Sequence, residues 1–160
     1  MMDQSLEIYI EADIEEVFPY LIEDEKLRLW NSFVIENIYE SEEERKLPVP
    51  GTRYTSVQRI DQKVRHFPAE YVEYDPPYLI TVTTTSKEGL STTRYSLSRS
   101  GSGTLVRILA SAAPSNWYYT IIGKLMGGLT KRLVLKPQFN QLKRVVEQYQ
   151  HPAMKRDHLN

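Results

Sequence analysis

Residues Ser115 to Tyr149 form the longest stretch with helical periodicity in the chain, and that stretch constrains the fold more than any other. Apolar residues recur every three or four positions at Tyr118, Ile121, Ile122, Leu125, Met126, Leu129 and Leu133. They recur again at Leu135, Phe139, Leu142, Val146 and Tyr149. On a wheel of about 100° per residue the two sets do not line up. They are offset by roughly 120°, about one residue's worth, whereas heptad drift gives only about 20° per repeat. The basic residues agree: Lys124 and Lys131 oppose the first face, and Lys136, Lys143 and Arg144 oppose the second. Pro137 sits at the changeover, where a proline removes one backbone hydrogen bond and kinks the axis. A bend or local break is therefore expected between Leu133 and Phe139; the alternative is a straight helix with one broad face. Ser115 follows Pro114 and is the expected N-cap. Gly127 and Gly128 each cost about 1 kcal/mol in a helix relative to alanine. They mark a close approach of the sheet, a widening of the space beside the helix, or a loose turn.

Most of the chain ahead of this helix reads as strands. Leu6, Ile8 and Ile10 alternate with polar neighbours in a half-buried first strand. Asp13 is the expected cap of a helix over Ile14 to Ile22, with Glu15 and Glu16 in its first turn, where the helix dipole favours them. Asp24 opens a second short helix, Glu25 to Trp30, and the pair carries no basic recognition face. Phe33 to Glu40 reads as a strand and Ser41 to Pro50 as a polar loop. Strands follow over Gly51 to Ile60, Lys63 to Tyr74, Tyr78 to Ser86, Leu90 to Arg99 and Thr104 to Ala112. They are separated by Asp61-Gln62, Asp75-Pro76-Pro77, Lys87-Glu88-Gly89 and Ser100-Gly101-Ser102-Gly103. Short turns between successive strands imply antiparallel pairing. The expectation is an α+β fold: a curved antiparallel sheet of six to seven strands wrapped around the long C-terminal helix, with two short helices after strand 1. A sheet hydrophobic on one face needs a partner to cover it. The central expectation is that the sheet curls around the helix and leaves a cavity between them.

With 160 residues and 41% hydrophobic content, a single domain over residues 1–150 with a disordered tail over 151–160 is expected. No apolar run is long enough to span a bilayer and no signal peptide is read at the N-terminus, so an integral membrane segment is not expected. The absence of cysteine excludes disulfides, thiol nucleophiles and thiolate metal sites, and a cytoplasmic protein is the simplest reading. Three histidines, two of them at His151 and His158, leave little for a metal centre, and no metal or cofactor is expected. Charge is unevenly spread. Residues 1–50 carry 14 acidic and 4 basic side chains, whereas residues 111–160 carry 2 and 8. Such asymmetry means either a basic helix addressing an anionic surface or two ends of the chain that screen one another in the fold. No basic stripe interleaves with aromatics, so nucleic acid is not an expected partner.

Several local patterns then carry a family resemblance. Ile14-Glu-Glu-Val-Phe-Pro-Tyr-Leu-Ile22 is followed by Asp24-Glu-Lys-Leu-Arg-Leu-Trp30, and Gly51-Thr-Arg-Tyr54 opens a strand. Glu73-Tyr-Asp-Pro-Pro77, Gly103-Thr104-Leu-Val106 and Leu142-Lys-Arg-Val-Val-Glu147 complete the set. Together, over roughly residues 5 to 149, the chain resembles the helix-grip fold of the START, polyketide cyclase/dehydrase and birch-pollen-allergen superfamily (SRPBCC). That resemblance implies lipid carriers, aromatase/cyclases, hormone receptors or chaperone activators as relatives, and does not choose among them.

The cup of such a fold is lined by alternate side chains. Thr93, Tyr95 and Leu97 on one strand and Val106, Ile108 and Ala110 on the next are expected to point inward, with Tyr54. Trp30 and Phe33 are expected near one mouth. From the helix, Tyr118, Ile122, Leu125, Met126 and Leu129 are expected to face the cup. These residues either line a ligand-sized cavity or fill a solid core. Among polar candidates, Arg94 lies next to Tyr95, so alternation puts it outside. His66 reads as an exposed strand histidine, and Glu70 and Glu73 do not share a strand face. No catalytic constellation is evident. The function expected is binding or transport of a hydrophobic or amphipathic small molecule. The alternatives are a polyketide cyclase/dehydratase-type enzyme and a protein-interaction module. The molecule is expected to be a monomer or weak homodimer, for which Leu105 and Leu109 supply an outward-facing contact.

Overall fold

The structure, a computed structural model, describes residues 2–150, with Met2, Leu129, Thr130 and Gln150 placed by their backbone alone. The tail expected over 151–160 lies outside the described residues. The strands are β1 (Met2–Ile10), β2 (Val34–Tyr39), β3 (Arg53–Ile60), β4 (Lys63–Asp75), β5 (Leu79–Ser86), β6 (Gly89–Ser100) and β7 (Gly103–Pro114). They form one curved antiparallel sheet in the order β1-β7-β6-β5-β4-β3-β2. Each neighbour pair from β3 to β7 is joined by a turn the sequence signals. Asp61 and Gln62 both take positive φ (51° and 64°), the geometry of a two-residue hairpin turn.

The helices depart from expectation in detail. The segment after β1 breaks into α1 (Ile14–Val17) and α2 (Pro19–Ile22), because Pro19 has no N–H to continue the first helix and starts a new one instead. Asp13 precedes α1 without a side-chain cap bond. The following helix, α3 (Asp24–Leu27), is shorter than expected, and the Asp24 carboxylate is engaged elsewhere. It accepts from Asn37 N at 3.0 Å, Asn37 Nδ2 at 3.2 Å and Arg45 Nη1 at 2.7 Å. The expected loop at Ser41 to Pro50 contains a helix, α4 (Glu42–Lys46), whose first turn is capped by Ser41 Oγ accepting from Glu44 N at 3.2 Å. Serine followed three residues later by glutamate is a helix-start pattern that the acidic cluster obscured.

The C-terminal rod is α5 (Trp117–Thr130), a π-helical turn at Lys131–Leu135, and α6 (Lys136–Gln150). The π-turn is the local break expected near Pro137. One residue inserted into the helical register rotates everything beyond it by about 100°, in the sense that widens the offset between the two apolar faces and leaves Tyr118 and Leu125 away from the core. The cap of α5 is Asn116, whose Oδ1 accepts from Tyr119 N at 3.1 Å. Ser115 donates its Oγ–H to the Lys87 carbonyl at 2.7 Å, tying the helix start to the β5–β6 turn, so the capping role passes to the next residue.

The core lies between the sheet and α6. Phe139, Leu142, Val145 and Val146 of α6 are buried against Ile8, Ile10, Leu97, Val106 and Ile108. α1 to α3 close one side. Trp30 stacks at 5.4 Å from Phe139 and donates Nε1–H to the Tyr20 carbonyl at 2.7 Å.

Candidate functional site

The inward-facing positions shrink in step along three adjacent strands, β5 to β7, while β1 alongside keeps its size. On β7 they run Val106, Ile108, Ala110, Ala112, and on β6 Leu97, Tyr95, Thr93, Ser91. On β5 they run Ile80, Val82, Thr84, Ser86, and on β1 Ile10, Ile8, Leu6, Gln4. The register stacks small on small: Thr93 opposes Ala110 and Val82, and Ser91 opposes Ala112 and Thr84. Large residues at one end meet α6 and fill the interior, while small ones at the other end lie beneath α5 and leave it unfilled.

α5 does not make up the volume. It turns Tyr119, Ile122, Gly123, Met126 and Gly127 toward the sheet, and between them lies a cavity of about 460 Å³. Gln4 Nε2 donates to the Gly127 carbonyl, and a Cβ at Gly127 would come within 3.2 Å of that nitrogen. The glycine therefore marks a close approach between β1 and the helix; nothing lies within 4 Å of the same point on Gly128. The rest of the lining is Leu135, Ser86, the β6 stretch Gly89 to Thr93 and the β7 stretch Ala110 to Pro114, with Ser91 and Thr93 turned inward. Among the described residues, Glu88 at the rim is the one charged member of the lining. The buried Oε1 of Gln4 has no hydrogen-bond partner among the described residues.

The expected lining residues divide between the two ends. Ile122 and Met126 border the cavity. Trp30, Leu97, Val106 and Ile108 are buried in the packed core, with Tyr95 against Phe139 at 6.1 Å. Tyr54 stacks on Tyr39 at 5.1 Å, and Phe33 is half-buried at the start of β2. Tyr118 and Leu125 stand on the solvent side of α5, Leu125 at 75% exposure. The side chain of Leu129 lies outside the described residues. The helix presents a face rotated from the expected one, and at Gly127 its backbone approaches β1, which a bulky residue there prevents. The run Ala110-Ser111-Ala112-Ala113 was the sequence signal for the cavity.

The far end of the interior is filled by tyrosines. Tyr39, Tyr54, Tyr71 and Tyr74 pack ring against ring, with Tyr39 and Tyr71 hydroxyls 2.9 Å apart. Burial pushes the Tyr71 hydroxyl up to about 12, and burial raises those of Tyr39, Tyr54 and Tyr95 further. They are neutral hydrogen-bonding groups near neutral pH, unable to serve as phenolate bases. The remaining polar candidates sit outside. Arg94 Nε pairs with Glu73 at 3.4 Å on the outer sheet face, and His66 is exposed on β4. Among the described residues no cluster of three metal-ligating side chains occurs, and no helix is long and apolar enough to cross a membrane.

A curved seven-stranded sheet gripping a C-terminal helix, with one end of the interior left unfilled, is the helix-grip architecture of the SRPBCC superfamily. The chain belongs to the Activator of Hsp90 ATPase homolog 1-like protein family, whose model matches residues 11–133. Its fold is shared with protein NE0264 from Nitrosomonas europaea (TM-score 0.70, 15% identity, 92% of this chain and 96% of that one). It is shared too with TTHA0849 from Thermus thermophilus (TM-score 0.65, 18% identity, 91% and 97% covered). A third likeness is to the di-domain ARO/CYC StfQ from the steffimycin biosynthetic pathway (TM-score 0.68, 16% identity). That match covers 91% of this chain and 49% of the di-domain protein. No curated protein matches the chain by sequence.

Proposed function

We propose that this protein binds a hydrophobic or amphipathic small molecule in the cavity beneath α5. The observation that carries the reading is the concerted taper of β5, β6 and β7, which leaves about 460 Å³ lined by alanine, leucine, isoleucine and methionine. That volume lies within the range of about 300–1,000 Å³ typical of small-molecule sites. Apolar burial, at about 25 cal/mol per Å², supplies the affinity. The hydroxyls of Ser91, Thr93 and Tyr119 orient the ligand. With Glu88 at the rim as the sole charged group of the described lining, no acid/base pair faces the space, so binding is favoured over cyclase-type turnover.

The test is native mass spectrometry after gentle purification, together with titration of a fluorescent fatty acid and its displacement by unlabelled apolar alcohols. A co-purifying hydrophobe, or saturable one-site uptake, supports the reading. A bare protein that takes up no probe, and whose interior excludes xenon as well, refutes it.

A further inference from the structure

The outer side of α5 is a second apolar face, distinct from the one over the cavity. Trp117, Tyr118, Ile121 and Leu125 cover an arc that points to solvent, with Trp117 at 74% and Leu125 at 75% exposure. Leu133 extends the arc into the π-turn. A helix apolar on both sides is ordinarily buried on both sides, so this one is missing a cover. Its flank is cationic: Lys124 and Lys131 border the arc, Arg132 and Lys136 continue it, and no acidic residue occurs between Gly89 and Val146. A carboxylate enters only at the start of the helix, where Glu88 belongs to the turn that holds Ser115. A second copy of α5 would bring these like charges together across an isologous contact, which disfavours self-pairing.

From this combination we infer that α5 docks on an anionic lipid surface, lying in the interface with Trp117, Tyr118, Ile121 and Leu125 immersed and the lysines at the headgroups. Trp and Tyr on the apolar side and Lys and Arg at the border are the composition such helices use. The inference stands on the outer face of the helix and does not depend on what the cavity holds.

Co-sedimentation with vesicles of phosphatidylcholine containing a quarter phosphatidylserine tests it, with pure phosphatidylcholine vesicles in parallel. The expected result is binding to the anionic vesicles with a blue shift of Trp117 emission, weakened by salt. Lys124→Gln and Lys131→Gln each lower the partition about fivefold, and Leu125→Asp lowers it more than about tenfold. Lys124 and Leu125 are exposed and Lys131 is half-exposed outside the core, so circular dichroism of the variants stays that of the parent. Three results overturn the inference: no sedimentation with anionic vesicles, equal binding to neutral ones, or a solution dimer that Leu125→Asp dissociates while vesicles are ignored. Fatty-acid uptake by the cavity, measured on the same variants, persists either way and separates this failure from failure of the binding reading.

Discussion

Replacing Ala110 by leucine gives the cavity a thermodynamic test whose sign is diagnostic. Ala110 lies on β7 between Thr93 and Gln4 and faces α5 across the cavity. Three added carbons at about 0.8 kcal/mol per buried CH₂ supply about 2 kcal/mol when fully buried. The site is only half-buried, which halves that figure, and a leucine gives up about 0.5–1 kcal/mol of rotamer freedom, so the net gain is about 0–0.5 kcal/mol. For a chain of this size that raises the melting temperature by at most about 2 °C. The same carbons occupy space the ligand needs, so affinity for a fluorescent fatty acid falls while stability holds or rises. Urea titration with an unchanged m-value, alongside the binding assay, reads both quantities. In a solid interior the same substitution overpacks and costs about 1–3 kcal/mol. A destabilised Ala110→Leu protein would refute the taper argument outright.

Three further outcomes follow from the geometry. Met126→Trp, on the cavity side of α5, abolishes probe uptake, whereas Leu125→Trp one residue earlier leaves it unchanged; equal effects in the titration would show the helix rotation to be wrong. Asp24→Ala leaves Arg45 and the Asn37 amide without their shared acceptor and destabilises the protein by about 3 kcal/mol, read as a lowered urea midpoint. Tyr39, Tyr54, Tyr71 and Tyr95 have folded-state pKa values raised above the unfolded value near 10, so their stabilising contribution is complete below pH 10 and is lost as pH climbs through the folded values. Absorbance at 295 nm should therefore show these four of the 11 tyrosines ionising only together with unfolding; free ionisation at pH 10 in the native state would contradict their burial.

The sheet could be read from the chain because its punctuation is chemical and local. Asp61-Gln62, Asp75-Pro76-Pro77 and Ser100-Gly101-Ser102-Gly103 each dictate where a strand stops, and alternation correctly turned Tyr95, Leu97, Val106 and Ile108 inward and Arg94 outward. The break in the C-terminal helix was legible too, since the apolar faces on either side of Leu133 and Phe139 do not fit one straight helix. What alternation does not supply is volume. It gave Leu97 and Ala110 the same direction, yet one closes the interior and the other opens it. The face of α5 was illegible for a different reason: rotation of a helix is set by where its backbone approaches a neighbour. Gly127 marks that approach, against the pull of the bulkier Tyr118–Leu125 stripe. α4 was hidden because three consecutive glutamates look like a solvated loop, although Ser41 and Glu44 have the spacing of a helix start.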